Sequence, residues 1–170
     1  MKATLYIASS LNGKMTEGQT NSSWVSEHDE IMFARTCQEI GCVLVGRQTF
    51  DQYQGVVYPV PETQNVVLTS NQDRPDQKNV TFRNDLSSAL QTIEDLGFDR
   101  FVVVGGAQVI KQCLDHKIVD QVLLSLHPYI FGNGLSIVGE YEGNVTLEFE
   151  AVKHEHKEFL LVQYKVIQYK

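Results

Sequence analysis

Short apolar segments alternate along this chain with amphipathic ones, and this alternation constrains the fold more than any other feature of the sequence. CVLVG at 42–46 has no polar alternation, as expected of a strand that is covered on both faces. NVVLTSN at 65–71 and FVVV at 101–104 are predicted to be further buried strands. Helices are predicted around them from Ser26 to Gly41, over RQTFDQY, from Asp85 to Leu96 and over AQVIKQCLD. Strands that alternate with helices predict a mainly parallel sheet with helices on both faces.

The two ends of the chain complete the predicted sheet. ATLYIA at 3–8 is expected to be the first strand, VTFRN a weak strand and VDQVLLSLHPYI a long one. VTLEFEAV and FLLVQYKVIQY partly alternate on either side of KHEHKE, which predicts an antiparallel hairpin. The predicted fold class is therefore α/β, a three-layer α/β/α arrangement with a mostly parallel mixed sheet and a C-terminal antiparallel hairpin. A length of 170 residues suits a single domain spanning 1–170.

Charge and cysteine content limit the expected partners and compartment. The formal net charge is −7 and the basic residues are scattered singly, so nucleic acid is not an expected partner. No apolar run approaches the ~20 residues of a membrane span, so a membrane is not expected either. Cys37, Cys42 and Cys113 lie in or beside apolar segments without a CxxC pair. They are predicted to be core-packing thiols in a reducing compartment, which favours a cytoplasmic protein.

Three of the predicted strands end in glycine or small polar residues. They lead into Gly46-Arg47, into the segment 69–71 and into Gly105-Gly106. Ligands of open α/β sheets bind outside the carboxyl ends of the strands, where helix N-termini offer free N–H groups to phosphate. A guanidinium with hydroxyl groups near it, as at Arg47, is what a 2′-phosphate needs. The alternatives are an ordinary strand–helix turn for the glycine pair and a surface position for Arg47.

These segments also carry a family resemblance. LYIASSLNGKM, VLVGRQTF, VVLTSN, FVVVGGAQVI and VDQVLLSLHPYIFGNG occur in the order and spacing of dihydrofolate-reductase-like proteins. The chain most closely resembles the branch related to the C-terminal reductase domain of bacterial riboflavin biosynthesis. The resemblance covers about the first 140 residues, and the closing hairpin fits it. It implies a cytoplasmic reductase that binds NADPH, acts on a small molecule and forms a homodimer.

The resemblance also implies positions for the cofactor along the predicted strand ends. Ala8 and Met15 are expected to flank the nicotinamide. Phosphates are expected at Gly46, Arg47 and Thr49, with Arg47 near the 2′-phosphate, and the adenosine at Thr69, Ser70 and Asn71. The pyrophosphate is expected at Gly105, Gly106, Ala107, Gln108 and Val109.

Two positions depart from the family's pattern. Asn12 stands where this branch commonly has the aspartate of SLDG. Gln108 stands where dihydrofolate reductases often have an arginine after the glycines, so the preference for NADPH depends on Arg47.

Reduction of a C=N bond also requires an acid or an ordered water. Classical members of the superfamily keep one carboxylate on the helix after the first loop, and Glu30 and Asp29 both lie in that stretch. Glu30 shares a helix face with Ala34 and Cys37, where partial burial would raise its pKa, so it is the favoured proton donor. Asp29 is better explained as a helix-capping acid. The alternative for Glu30 is a solvated glutamate that interacts with the helix dipole.

The remaining aromatic and histidine residues are given structural interpretations. Trp24 either packs in the core or forms a wall of the substrate pocket. His127 is expected to be a strand-end residue with no catalytic role. His154 and His156 alternate in KHEHKE, but the sequence places no further ligand beside them, so they are interpreted as residues of a solvated turn and no metal site is predicted.

The sequence therefore predicts an NADPH-dependent reductase of a small pyrimidine or pterin heterocycle. Its activity is expected to resemble that of 5-amino-6-(5-phosphoribosylamino)uracil reductase. The alternatives are a dihydrofolate reductase proper and a non-catalytic, NADP-binding dimeric module. No HxE…PCxxC deaminase signature occurs in the chain.

Overall fold

A computed structural model describes residues 1–71 and 73–170. Within those residues, eight strands and four helices follow one another in the predicted order. They are β1 (Lys2–Ser10), α1 (Glu27–Ile40), β2 (Cys42–Gly46), α2 (Arg47–Gln52), β3 (Gln64–Leu68), β4 (Val80–Arg83), α3 (Leu86–Asp95), β5 (Arg100–Val103), α4 (Ala107–Asp115), β6 (Val119–His127), β7 (Val145–His156) and β8 (Phe159–Tyr169). None of these helices is long and apolar enough to cross a membrane.

The strands form one sheet in the order β4-β3-β2-β5-β1-β6-β8-β7. The strands from β4 to β6 in that order pair in parallel, whereas β8 is antiparallel to β6 and β7 is antiparallel to β8. The predicted α/β class, the mixed sheet and the C-terminal hairpin are therefore confirmed. Because β1, β2, β3 and β5 are parallel, their carboxyl ends meet at one edge of the sheet.

Helices cover both faces of the sheet, which gives the molecule two apolar cores. One core joins α3 and α4 to residues such as Leu44 and Val103, and the other joins α1 and α2 to residues such as Val43 and Val45. Alternate residues of β2 thus enter opposite cores, as the pleat of a strand requires. The three cysteines are all fully buried and free, in agreement with the prediction of core-packing thiols.

Helix α1 begins and ends where its capping residues predict. Ser26 is the N-cap, and its hydroxyl accepts a hydrogen bond from the Asp29 backbone N–H at 3.3 Å. Gly41 ends the helix with φ 90°, a left-handed conformation that glycine adopts without strain, and its N–H donates to the Cys37 carbonyl at 2.7 Å. These two caps set the position of the first-turn acids relative to the sheet.

The loop after β1 is held by the segment that follows β6. Asn12 donates from its side-chain amide to the Phe131 carbonyl at 2.8 Å and accepts from the Phe131 N–H at 3.1 Å. An ionised aspartate, which the resemblance implies at this position, could accept but not donate, whereas asparagine makes both bonds. Further along, Thr16 Oγ1 accepts from the Leu135 N–H at 2.9 Å. The substitution at position 12 therefore has a structural explanation.

Two local predictions need correction. The strand that contains His154 and His156 extends to His156, so these residues belong to β7 and not to a solvated turn. Strand β7 is longer than predicted because its pairing with β8 continues to the His156–Phe159 pair. Strand β3 is shorter than predicted: it ends at Leu68, so the segment 69–71 lies outside the strand.

Candidate active site

The strand-end glycines bring two turns of the sheet edge into contact. The Gly46 N–H donates to the Gly105 carbonyl at 3.1 Å. A Cβ atom on Gly46 would lie 3.0 Å from Val109 Cγ2, and one on Gly106 would lie 3.2 Å from Thr49 Oγ1. Glycine at 46 and 106 therefore lets the turn after β2 pack closely against the turn after β5, and a larger residue would have to displace Val109 or Thr49. A Cβ atom on Gly105 would meet no atom within 4 Å, which leaves that side of the chain open.

Helix α4 begins at this contact. Gly106 is its N-cap, and the Val109 N–H donates back to the Gly106 carbonyl at 3.0 Å. The N–H groups of Ala107 and Gln108, in the first turn, have no acceptor within the helix. The predicted pyrophosphate segment therefore combines an open backbone with the positive end of a helix of nine residues.

A polar cleft of about 520 Å³ lies beside this contact, at the carboxyl ends of β2 and β3. It brings together three of the predicted residues, Arg47, Ser70 and Asn71. It also contains Arg74 and Asp51, which no pattern in the sequence indicated. Asp73 lines the cleft as well, so two guanidinium groups and two carboxylates face it, and the guanidinium groups are the possible donors to an anion such as phosphate.

Asp51 holds both arginines of the cleft. Its carboxylate lies 2.7 Å from Arg74 Nη2 and 3.4 Å from Arg47 Nη1. The hydrogen bond from Arg74, followed by the attraction of both guanidinium groups, lowers the pKa of Asp51 despite partial desolvation. Arg74 also lies over the ring of Phe82, with its Cζ 4.5 Å from the ring centroid. Arg74 is thus fixed by packing and pairing, whereas Arg47 has the more exposed side chain.

The other predicted cofactor residues have mixed positions along the same edge. Thr69 is buried, and its hydroxyl accepts from the Asn71 N–H at 3.1 Å, so it shapes the turn behind the cleft. Ala8 is half-buried on β1. Met15 is half-buried and packs against the core that contains α4. These residues lie on the expected edge, and their roles in cofactor binding stay predictions.

A buried polar cluster lies between α1, β1 and β6. Asp29 is only 1% exposed and accepts a hydrogen bond from the Tyr6 hydroxyl at 2.6 Å. Its other oxygen lies 3.7 Å from His127 Nε2. Burial raises the pKa of Asp29, against the opposing effects of the hydrogen bond from Tyr6 and of Ser125 and His127. The Ser125 hydroxyl is buried beside the carboxyl and makes no well-aligned hydrogen bond within residues 1–71 and 73–170.

The hydrogen bonds of His127 indicate its tautomer. The Ser26 N–H points at His127 Nε2 at 3.5 Å, and His127 Nδ1 lies 3.3 Å from the Ser125 carbonyl. The ring therefore carries its proton on Nδ1 and presents the Nε2 lone pair toward Ser26 and Asp29. Burial lowers the pKa of His127, although the nearby Asp29 opposes this effect. His127 is thus part of a buried network and not an isolated strand-end residue.

Trp24 covers this network on one side. Its ring packs edge-on against His127 at 5.1 Å between centroids and against Phe131 at 5.3 Å. Its indole N–H is buried without a hydrogen-bond partner among the described residues. Trp24 therefore packs against the polar network as well as against apolar neighbours.

Asp29, and not Glu30, is the acid of the first turn of α1 whose side chain faces the sheet. The buried stripe of the helix is Asp29, Phe33 and Cys37, at spacings of four residues. Glu30 lies one residue further around the helix, so most of its side chain is exposed and it is only partly desolvated. The pKa of Glu30 is raised, mainly by partial desolvation and then by the charges of Glu27 and Asp29, as predicted. The backbone N–H of Asp29 donates to the N-cap Ser26, whereas the Asp29 side chain is buried in the core and does not cap the helix.

Little in the sequence indicated the partners of Asp29. Ser125 and His127 come from β6, which lies beside β1 in space but more than 100 residues away from it in the chain. The register of β1 and β6 pairs Ala8 with Ser125 and Ser10 with His127. This pairing places Ser125 and His127 beside β1, within reach of Asp29. A buried polar residue within an apolar strand, such as Tyr6, was the one local signal available.

Comparison with known proteins gives the same fold. The structure is similar to that of a Thermotoga maritima diaminohydroxyphosphoribosylaminopyrimidine deaminase/5-amino-6-(5-phosphoribosylamino)uracil reductase, with a TM-score of 0.77 at 20% identity over 98% of this chain. The chain spans 56% of the length of that two-activity protein. It is also similar to dihydrofolate reductase from Enterococcus faecalis complexed with NADP(H), with a TM-score of 0.72, 18% identity, and coverage of 98% of this chain and 97% of that one.

Sequence comparison identifies the family. The chain is 22% identical over 158 residues to the Bacillus subtilis protein named "Uncharacterized protein YwjB". The aligned region covers 89% of this chain and 91% of that protein. The family model described as RibD C-terminal domain matches residues 2–161. That match extends over nearly the whole sheet, including the strand-end glycines and the cleft arginines. The chain therefore belongs to the RibD C-terminal domain family.

Proposed function

We propose that this protein is an NADPH-dependent reductase of a small heterocyclic substrate. The observation that carries the proposal is the cleft at the carboxyl ends of the parallel strands, where Arg47 and Arg74 lie together and Gly46, next to Arg47, contacts the turn that begins α4. A nicotinamide dinucleotide with a 2′-phosphate carries two anionic groups, the 2′-phosphate and the pyrophosphate. We assign the first to the arginine cleft and the second to the start of α4. The Enterococcus faecalis dihydrofolate reductase, which has a similar fold, forms a complex with NADP(H), and this supports the same choice of cofactor.

The cofactor residues follow one another along that edge. Arg47 and Arg74 bind the 2′-phosphate, and the side chains of Ser70 and Asn71 contact the adenosine end. The contact between Gly46 and Gly105 joins the arginine cleft to the start of α4, so the pyrophosphate passes over the glycines. Gly106, Ala107, Gln108 and Val109 then line the phosphates with backbone groups, and Thr49 completes the turn opposite them. The nicotinamide end reaches Ala8 and Met15.

The buried network supplies the second half of the proposed site. Ala8 follows Tyr6 by two residues in β1, so the two side chains share one face of the sheet about 7 Å apart. A substrate ring next to a nicotinamide at Ala8 thus lies close to the Tyr6–Asp29 pair. We assign Asp29 as the group that hydrogen-bonds the heterocycle and holds the proton for its nitrogen. Because Asp29 is 1% exposed, substrate binding includes a shift of the segment that carries Trp24.

The expected reaction adds a hydride to carbon and a proton to nitrogen of a C=N bond. NADPH, when bound, supplies the hydride. The chain aligns the two rings, excludes water through Trp24 and delivers the proton from the carboxyl of Asp29. A pyrimidine similar to 5-amino-6-(5-phosphoribosylamino)uracil is the leading substrate class, because the chain belongs to the RibD C-terminal domain family.

Two other functions each have one supporting observation. A pterin substrate, as in dihydrofolate reductase, is favoured by the single buried carboxylate of α1. A non-catalytic NADP-binding module is favoured by the almost complete burial of Asp29, which closes the site to solvent. Turnover on a panel of dihydropterins and aminopyrimidines, followed as loss of reduced nicotinamide absorbance, distinguishes the three.

Three variants of α1 test the assignment of the proton donor. Asp29→Asn is expected to lower turnover by roughly 100-fold or more, the usual range for a general acid, while NADPH affinity changes little. Glu30→Gln tests the other candidate and is expected to have a far smaller effect. Glu27→Gln, an exposed residue of the same helix turn, controls for the loss of one charge. Loss of turnover in Glu30→Gln with activity retained in Asp29→Asn would assign the proton to Glu30.

We also infer that the protein is a homodimer. β7 is a long edge strand, and its exposed side chains include Leu147, Phe149 and Val152, with Leu160 of β8 nearby. Apolar groups on an unpaired edge are normally covered by a partner. Phe149→Lys is expected to convert the dimer to a monomer in sedimentation velocity, and a wild-type monomer would contradict the inference. A cytoplasmic location agrees with three free, buried thiols.

A further inference from the structure

Two histidines and a glutamate converge at one end of the molecule, outside the cofactor cleft. His28 lies in the first turn of α1, while His156 and Glu158 flank the β7–β8 turn, about 130 residues later in the chain. One carboxylate oxygen, Glu158 Oε2, lies 3.2 Å from His28 Nδ1 and 3.5 Å from His156 Nδ1. The ligand atoms of the three residues all lie within 4.8 Å of one another.

These separations suit a tetrahedral metal ion. Zinc binds imidazole nitrogen and carboxylate oxygen at about 2.0–2.2 Å, which places neighbouring ligand atoms roughly 3.3–3.5 Å apart. The two distances measured from Glu158 Oε2, 3.2 and 3.5 Å, lie within about 0.1 Å of this range. Two histidines and one glutamate are also a common protein ligand set for zinc with one open position.

The hydrogen bonds of His156 give an independent reason to expect a cation. The Glu158 backbone N–H donates to His156 Nδ1 at 3.4 Å, so this nitrogen is an acceptor and carries a lone pair. The same nitrogen faces the Glu158 carboxylate oxygen, which is also an acceptor. Two acceptors that face each other at this distance repel unless a positive charge lies between them. The long bond to the backbone N–H is weak enough to be given up to a metal.

The rings of His28 and His156 are stacked with their centroids 4.3 Å apart. The two rings therefore lie side by side, where one shared cation can bind a lone pair of each. Glu27 and Glu30, in the same first turn of α1 as His28, add two further acidic side chains to this end of the helix.

We propose that His28, His156 and Glu158 form a binding site for a divalent transition-metal ion of the zinc type, with water in the fourth position. The ion links the first turn of α1 to the tip of the β7–β8 hairpin. This link lies next to Asp29 in the chain but uses none of the residues assigned to NADPH or to the proton. The site does not depend on the proposed reductase activity, because it is defined by metal binding alone.

The test uses full-length, untagged protein that has been freed of metal and contains no NADPH. Isothermal titration with Zn²⁺ is expected to show one equivalent bound, and Co²⁺ is expected to give the intense visible bands of a four-coordinate site. His28→Ala, His156→Ala and Glu158→Gln are each expected to weaken binding at least roughly tenfold and to abolish those bands. His116→Ala, which removes an exposed histidine at the end of α4, is the matched control and is expected to bind as the wild type does.

Thermal unfolding gives a second readout that does not depend on catalysis. Zn²⁺ is expected to raise the unfolding midpoint of the wild-type protein and of His116→Ala, but not that of His28→Ala. Circular dichroism verifies that each variant is folded before metal is added. The proposal is overturned if folded wild-type protein binds no stoichiometric Zn²⁺, or if His28→Ala and His156→Ala bind as tightly as the wild type does. If the wild-type protein binds the metal but shows no reductase activity, the proposed function is rejected and the proposed metal site is supported.

Discussion

Replacement of Arg47 should separate the two nicotinamide cofactors. In the proposed complex, Arg47 donates to the 2′-phosphate, a group that NADPH has and NADH lacks. Arg47→Ala should therefore weaken NADPH binding selectively, while NADH binding changes less than about twofold. Arg47→Lys keeps the charge but loses the planar fork of donors, so an intermediate loss is expected.

The size of the effect follows from the surroundings of Arg47. Hydrogen bonds to charged groups contribute about 1.5–3 kcal/mol, which corresponds to roughly 10- to 150-fold in affinity. The Arg47 side chain is 41% exposed and lies 3.4 Å from the Asp51 carboxylate, so solvent and this pairing both reduce its contribution. The expected loss for NADPH is therefore in the lower part of that range, roughly 10- to 30-fold.

The single tryptophan makes the assay simple. Bound reduced nicotinamide quenches tryptophan emission by energy transfer, so titration of Trp24 fluorescence gives the affinity for NADPH and for NADH. Arg100→Ala is the matched control, because Arg100 begins β5 at the opposite edge of the sheet and donates to the Glu39 carbonyl at 3.0 Å. Equal losses for NADPH and NADH, or an unchanged affinity for NADPH, would refute the assignment of Arg47 to the 2′-phosphate.

Three further predictions concern the cleft, the loop and the thiols. Asp51→Asn removes a negative charge from the cleft and frees both guanidinium groups, so NADPH affinity measured by calorimetry should increase several-fold; a weaker affinity would mean that Asp51 is needed to position the arginines. Gly134→Ala places a Cβ against the Thr16 carbonyl and should cost about 1–3 kcal/mol, or roughly 2–12 °C in the unfolding midpoint, whereas Gly132→Ala meets no atom within 4 Å and should be nearly neutral. Burial raises the pKa of all three cysteine thiols, to about 12 for the second and third in the chain, so a thiol reagent at pH 8 should modify none before unfolding and three after it.

Most of the fold could be predicted from the sequence because its signals are local. Uninterrupted apolar segments marked the parallel strands, and a serine and a glycine marked the ends of α1. The strand ends were predictable for the same reason, since glycine or small polar residues lie at or within two residues of the ends of β2, β3 and β5. Arg47, Ser70 and Asn71 consequently come together in one cleft, as the order of the strands implies.

The parts that were missed depend on register and on contacts between distant segments. Spacing along the helix was ambiguous between Asp29 and Glu30, because each is followed four residues later by an apolar side chain, Phe33 or Ala34. The side that is buried is set by Tyr6 and by His127, which reaches Asp29 through the pairing of β1 with β6. Arg74 was missed because it lies in a loop with no periodic pattern.

The proposed metal site also depends on contacts between segments that are distant in the chain. The sequence showed that His154 and His156 alternate but supplied no further ligand. The fold brings His28 and Glu158 to it, from a helix and from the far side of a hairpin turn. Convergence of this kind becomes visible only when the sheet order and the strand register are known.

A crystal structure of the protein with NADPH bound is the decisive measurement for the proposed cofactor site. Electron density for the adenosine 2′-phosphate is expected within hydrogen-bond distance of Arg47 or Arg74, with the pyrophosphate over Gly105-Gly106 and the nicotinamide ring next to Ala8. Density for the dinucleotide at any other edge of the sheet, or a folded protein that takes up no NADPH at saturating concentration, would contradict the proposed site.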